Sequence, residues 1–317
     1  MEQKPRYEIV DGFRLPPSFV PEVFRSACNY RPKDDEVVVS TYPKCGTTWI
    51  MQIVTTILRR GKPCTTAKEY FSSNPFLEMT GEEGMKLAMK PYCIKIHLPF
   101  DRVNFNPNAK YIYVTRHPAD CVVSFYHHTR FFPIYFFTNG SFDTFFDLFI
   151  NDGTDFNDYY DNLHSWYVHK DKPNILFLTF ESMKADTRGT ILKCAKFLGD
   201  EYYNLLMADD EKILNDILHY SSLDFMRTTI NEFWREVYAD KPPTEEYQKE
   251  NPIAKKYAAI MKDAEENGHH AVGEFIRKGA VGDGKLALSE EQRKKMNDYI
   301  DRKTAQYPEL KHFWDKR

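Results

Sequence analysis

Four short runs constrain the fold more than anything else in this chain. "VVVST" (Val37 to Thr41), "YCIKIH" (Tyr92 to His97), "YIYVTR" (Tyr111 to Arg116) and "NILFLTF" (Asn174 to Phe180) are rich in β-branched and aromatic residues, as buried strands of a parallel sheet are. Helical patterns lie between them. From Thr47 to Arg60, Ile50, Ile53, Val54, Ile57 and Leu58 recur at i, i+3, i+4, i+7 and i+8, and Gly61 stands where a helix ends. Further helices are predicted in "HPADCVVSFYHH", where Pro118 suits a first turn, in "TRGTILKCAKFLG", ended by Gly199, and in "NPIAKKYAAIMKDAEENG", capped by Asn251 and stopped by Gly268. Ser289 and Gln292 form a capping-box pattern. Strands alternating with helices predict an α/β fold with a central parallel sheet flanked by helices. No repeat, low-complexity stretch or linker divides the 317 residues, which read as one domain, 1–317.

Within this pattern "TYPKCGTTWI" (Thr41 to Ile50) is a tight turn between a strand and a helix. Backbone N–H groups and a helix N-terminus converge there, a P-loop-like arrangement suited to a phosphate or sulfate. Gly46 permits close approach of an anion, Thr47 and Thr48 offer hydroxyls, and Lys44 offers a full charge. The bland reading is an ordinary βα turn with a capping threonine. A Walker A loop needs its lysine after the second glycine, whereas Lys44 comes first, which disfavours a kinase or ATPase. "FIRKGAVGDGK" adds Arg277 and Lys278 beside Gly279, a second phosphate clamp or simply a solvated loop. "YVTRHPADCVVS" places Arg116 at the C-terminal edge of a strand, where α/β sheets bind ligands, and Ser124 two turns into the next helix.

Lysine and arginine number 43 against 46 aspartate and glutamate, a net charge of −3, so no global field favours nucleic acid or an anionic membrane and any anion site is local. The six cysteines are scattered without a CxxC pair, which suits a reducing compartment. The first twenty residues lack the apolar core of a signal peptide, and no run of about 18 apolar residues occurs. A soluble, cytoplasmic protein is expected, with "NGS" at Asn139 to Ser141 serving as a turn rather than a glycan site. The pairs His127–His128 and His269–His270 lack metal-ligand spacing.

Together, "TYPKCGTTW", "YVTRHPADCVVSFYH" and "FIRKGAVGDGK" resemble the three donor-binding segments of the cytosolic sulfotransferases, and the resemblance runs from "VDGFRLP" to "LSEEQ". It implies the donor 3′-phosphoadenosine 5′-phosphosulfate, the product adenosine 3′,5′-bisphosphate and no metal. Lys44, Cys45, Gly46, Thr47 and Thr48 are then expected at the 5′-phosphosulfate, and Arg116, Ser124, Arg277, Lys278 and Gly279 at the 3′-phosphate. Trp49 is expected to stack on the adenine, Leu223 stands at its second face, and Phe180, Ser221 and Met226 are expected among the other donor-binding residues. His97, in the family's K-x-H position, is the expected base, with Lys44, Lys95 and Ser124 completing the catalytic set. An imidazole with an ordinary pKa of about 6.5 accepts a hydroxyl proton at neutral pH. Lys95 shares the face of His97 by strand alternation. Phe19, Phe76, Met79, His128, Phe131 and Phe132 are expected to line a pocket for a small, mostly apolar hydroxyl or amine acceptor such as a phenol, catecholamine, steroid or alcohol. Glu78 is a candidate partner for a substrate amine.

The chain departs from the family pattern at several points. Cys45 stands for the loop serine, and at a helix N-terminus its thiol is expected to be acidified and open to oxidation or alkylation. Leu223 stands for an aromatic residue, Phe180 for Tyr and Gly284 for Trp, which predicts weaker donor binding. Residues 228–274 are longer than expected, a lid or a packed insertion. Glu290 and Lys294 break the family's dimer motif, so a monomer or a different dimer is expected. The alternative function is a non-catalytic nucleotide- or sulfate-binding module, for which a base aimed at an acceptor has no use. A small-molecule kinase is the remaining rival.

Overall fold

The computed structural model describes residues 3–239 and 245–314. Two antiparallel strands, β1 (Glu8–Val10) and β2 (Phe13–Leu15), open the chain. The central sheet follows: β3 (Val37–Thr41), β4 (Ile94–Ile96), β5 (Lys110–Thr115) and β6 (Ile175–Thr179), all parallel in the order β4-β3-β5-β6. Each of the four runs read as strands is one, with frayed ends shortened. The small hairpin was not anticipated, because strands this short carry almost no periodic signal.

Alternation along each strand divides the core into two layers. Val37 and Val39 of β3, Ile112 and Val114 of β5 and Leu176 and Leu178 of β6 face α1 (Thr47–Leu58) and the helices that pack beside it. Val38, Tyr111, Tyr113 and Ile94 face the opposite layer, which is dense in aromatic residues. That layer contains α2 (Pro118–Phe131), the helix carrying Trp166, and part of the C-terminal helix. Buried tyrosines there end on polar partners: Tyr42 Oη with Thr154, Tyr113 Oη with Asn162 Oδ1 and Tyr159 Oη with the Arg116 carbonyl.

Helix ends follow the sequence signals. Asn251 caps α4 (Pro252–Glu266), α3 (Leu223–Ala239) precedes it, and Ser289 and Gln292 close the reciprocal capping box of α5 (Glu290–Gln306). The "NGS" stretch is a turn whose Ser141 caps the helix Phe142–Ile150. Residues 240–244 of the 228–274 insertion lie outside the described residues. Its helix α4 rests on the body of the protein through Tyr257, Ile260 and Met261 and through the ion pairs Lys256–Glu8 and Arg6–Asp263.

Register fixes where the site forms. Ser40 is paired with Ile96, Thr41 with Val114 and Thr115 with Thr179. The residues that leave these strands, Tyr42, His97, Arg116 and Phe180, therefore emerge along one edge. This is the carboxyl edge, where parallel sheets place their ligands.

Candidate active site

The turn after β3 is held in an unusual backbone shape. Lys44 has φ +67° and Gly46 φ +101°, after which α1 begins. A Cβ at Gly46 would lie 2.8 Å from the Phe180 ring, so the position is restricted both by its backbone and by its neighbour. The turn opens into a cleft of about 1170 Å³ that runs between the sheet edge, α3 and α4.

The cleft lining carries a cluster of cations. Lys44, Lys95, Arg116, Arg277 and Lys278 all line it. Burial, with repulsion from Lys95 and Arg116, lowers Lys44 to about 7, and burial lowers Lys95 to about 8. Lys44 Nζ is 3.4 Å from His128 Nδ1 and lies over the Phe275 ring, while Lys95 Nζ sits 3.7 Å from the centre of the Phe76 ring. Arg116 donates through Nη2 to the Ala280 carbonyl at 2.7 Å and stacks over Phe180, but its buried Nε has no hydrogen-bond partner among the described residues. Arg277 and Lys278 share Asp283, itself buried. Asp120 holds the loop by accepting from the backbone N–H groups of Gly282 and Gly284. A Cβ at position 284 would come within 2.4 Å of the Ala119 backbone, which explains why no side chain stands there.

Beside the cations is an aromatic niche. Trp49 and Phe180 meet edge to face, Trp49 Nε1 donates to the Ser221 carbonyl at 2.9 Å, and Leu223, Met226 and Ser221 line the same region. Leu223 also packs where a Cβ on Gly279 would be, 2.9 Å from its Cδ1.

His97 follows β4 and faces the cleft. Its Nδ1 is 2.7 Å from the Thr41 carbonyl, which only accepts, so Nδ1 carries the proton and Nε2 keeps its lone pair. The His97 backbone N–H donates to the Glu78 carboxylate, and the Asn162 amide donates to the His97 carbonyl at 3.0 Å. Burial and the nearby Lys95 hold the imidazole well below its ordinary pKa. Phe76 and Phe156 press their rings on it at centroid distances of 5.2 and 4.9 Å.

The cleft thus gathers all the site residues expected from sequence except two. Cys45 is fully buried behind the turn, its Sγ 3.8 Å from Cys121 Sγ, and burial raises its thiol well above the usual range. The expectation of an acidified, reactive Cys45 is therefore corrected: the side chain points into the core, away from the helix N-terminus. Phe131 lies behind Phe132, packed on it edge to face and outside the cleft lining. Glu78 is likewise corrected as an amine partner. It is completely buried, lies outside the cleft lining and is engaged with the backbone of His97, so it steadies the strand end instead. Phe156, Tyr135, Asp155 and Tyr257 line the cleft without having been singled out in the sequence. They come from a loop, a short 3₁₀ turn and the face of α4, none of which carries a motif.

A parallel sheet with an anion-suited turn at its carboxyl edge and a histidine across the same cleft defines the P-loop-like group-transfer class. Comparison with known proteins narrows this. The sulfotransferase domain family matches residues 34–232, and the chain belongs to that family; it is a sulfotransferase. It is 29% identical over 307 residues to sulfotransferase 1 family member D1 of Mus musculus, covering 93% of this chain and 92% of that protein. It is 28% identical over 313 residues to the 3-beta-hydroxysteroid sulfotransferase of Cavia porcellus, covering 96% and 97%. The crystal structure of mouse sulfotransferase SULT7A1 complexed with PAP superposes with a TM-score of 0.65 at 19% identity, covering 94% of each chain, a likeness of fold. Among the described residues no helix is long and apolar enough to cross a membrane, and no cluster of three or more His, Cys, Asp or Glu side chains is placed to hold a metal ion.

Proposed function

We propose that this protein transfers the sulfonate of 3′-phosphoadenosine 5′-phosphosulfate to a hydroxyl or amine of a small, largely apolar acceptor, with His97 as base. The observation that carries the proposal is that the Nδ1–H of His97 is fixed on the Thr41 carbonyl, which leaves Nε2 as an acceptor in the same cleft as the cationic turn.

The residues present fit this donor. Lys44, lowered by burial and then by repulsion from Lys95 and Arg116, and the Arg116 Nε, which has no hydrogen-bond partner among the described residues, are what a bound polyanion would relieve. Lys44, Gly46, Thr47 and Thr48 would hold the 5′-phosphosulfate. Arg116, Ser124, Arg277, Lys278 and Gly279 would hold the 3′-phosphate, and Trp49, Phe180, Ser221, Leu223 and Met226 the adenosine. Cys45 would contribute only backbone to the turn. The bound donor supplies a sulfonate activated by a phosphate leaving group.

His97 accepts the acceptor's proton at Nε2. Charge from the donor opposes the field of Lys44 and Lys95 and so raises the basicity of His97 when both substrates are in place. Lys44 neutralises charge growing on the departing phosphate oxygen, and Lys95, held by Phe76, does so on the moving sulfonate. Phe19, Phe76, Met79, His128, Phe132 and Phe156 exclude water and orient the acceptor. Residues 1–317 form one catalytic domain, and the N-terminal turn of α4, with Asn251, Pro252 and Tyr257 in the lining, walls the acceptor side as a packed cover. A cytosolic location and a small-molecule acceptor complete the reading.

Thermal shift tests donor recognition. Adenosine 3′,5′-bisphosphate should raise the melting temperature in a dose-dependent way with no metal added, and ATP with magnesium should not. Stabilisation by ATP with magnesium alone would overturn the proposal.

A further inference from the structure

We propose that Thr41 is a positioning residue: its buried hydroxyl links the base His97 to Thr47 of the anion-suited turn in one hydrogen-bonded chain. The inference rests on reading the cleft as a sulfotransferase site and gives a role to a residue outside the cleft lining.

Two features of the fold bring the three side chains together. Ser40 pairs with Ile96 across β3 and β4, so the residues that follow, Thr41 and His97, lie side by side. The turn, with Lys44 and Gly46 at positive φ, then brings the chain back within six residues, and Thr47 opens α1 against Thr41. Thr41 Oγ1 lies 2.6 Å from Thr47 Oγ1 and 3.3 Å from His97 Nδ1. Thr41 is fully buried, while Thr47 and His97 are buried residues that still line the cleft.

The hydrogens available give the chain a direction. His97 Nδ1 carries a proton and shares it between the Thr41 carbonyl, at 2.7 Å, and the Thr41 hydroxyl oxygen. That oxygen therefore accepts from the imidazole. Among the described residues its own hydrogen has Thr47 Oγ1 as the acceptor within reach, so Thr41 donates to Thr47. The Thr47 hydrogen is then left for an anion held by the turn. Bonds in such a chain polarise one another. In the transfer, the acceptor oxygen forms its bond to sulfur as its proton passes to His97 Nε2, and the electron pair of the old sulfur–oxygen bond leaves on the phosphate. The resulting imidazolium is a stronger donor at Nδ1, and through Thr41 it strengthens the Thr47 hydroxyl as a donor to the phosphate that has gained charge. The threonines pass on polarisation and no proton.

A double-mutant cycle tests this. Thr41→Val keeps the branched shape and the carbonyl that holds Nδ1 but removes the hydroxyl, and Thr41→Ser keeps the hydroxyl. The His97 Nδ1–H resonance, assigned by its loss in His97→Ala, is followed by NMR, and binding of adenosine 3′,5′-bisphosphate by calorimetry. Thr47→Val should move the resonance in the wild-type background and leave it in place in Thr41→Val. Thr41→Val and Thr47→Val should each weaken the nucleotide about fivefold and the double variant no further than either alone, whereas Thr41→Ser should bind within about twofold of wild type. A resonance that Thr47→Val leaves unmoved in the wild-type background overturns the inference, whether or not Thr41→Val folds. Additive binding losses overturn it too, and so does a Thr41→Ser protein that binds as weakly as Thr41→Val, which would make Thr41 a packing residue. If the coupling holds but no acceptor is sulfonated, the link between His97 and the turn stands and the transfer reading fails.

Discussion

Replacing Gly46 by Ala separates the two restrictions placed on the turn after β3. Its φ of +101° lies in a region that an L-residue enters at a cost of about 1–2 kcal/mol. Its Cβ would also sit 2.8 Å from Phe180 Cδ2, closer than side chains approach, so the ring must retreat by several tenths of an ångström. Overpacking of this kind costs about 1–3 kcal/mol. The sum, roughly 2–5 kcal/mol, corresponds to a fall in melting temperature of about 4–10 °C for a chain of this size. Gly12 is the control: its φ is +75°, and nothing lies within 4 Å of where its Cβ would be. Gly12→Ala should carry the backbone cost alone, about 2–4 °C. The displaced Phe180 ring contacts both Trp49 and Arg116, so Gly46→Ala should in addition weaken adenosine 3′,5′-bisphosphate about tenfold or more, an effect absent from Gly12→Ala. Melting curves and calorimetry on the two variants provide the comparison. Equal melting losses in both, or an unchanged donor affinity in Gly46→Ala, would refute the steric reasoning.

Three further outcomes are expected. Lys44 and Lys95, lowered to about 7 and about 8, are charged below those values and lose their protons above them. Donor affinity should therefore fall as pH rises from 6 to 9, and binding at pH 8 should take up protons, as read by calorimetry in buffers of different ionisation enthalpy; proton release would contradict the assignment. Cys45, buried with its thiol raised, should resist iodoacetamide in the native protein and react after denaturation, and rapid native labelling mapped to Cys45 would show the side chain placed wrongly. Gly284→Ala should destabilise more than Gly46→Ala, because the obstruction is the Ala119 backbone at 2.4 Å rather than a movable ring; a melting temperature within about 2 °C of wild type would show that the loop gives way.

Much of this arrangement was legible in the sequence because it is local. A buried parallel strand is a short apolar run, and "VVVST" became Val37–Thr41 without adjustment. The turn before α1, the Asn251 cap and the Ser289–Gln292 box each depend on residues within a few positions of one another. Cys45 shows where local reasoning fails. Its position beside a helix N-terminus suggested acidity, but the side chain turns into the buried core against Cys121 of α2, a contact across 76 residues. Asp155, Tyr135 and Phe156 were missed for a related reason: a pocket wall assembled from a loop and a 3₁₀ turn has no period to read, and Asp155 meets Tyr135 across twenty residues. The same holds for Glu78, whose carboxylate reaches the His97 backbone from a different element.

The central claim, that the cationic turn and His97 together perform sulfonate transfer, is tested most directly by one assay. Labelled sulfonate is offered on 3′-phosphoadenosine 5′-phosphosulfate, with a panel of phenols, catecholamines, steroids and alcohols, to the wild type and to His97→Ala. The account predicts transfer by the wild type, a loss of about 10²-fold or more in kcat for the variant, and donor binding retained in both. Transfer that persists undiminished in His97→Ala would contradict it.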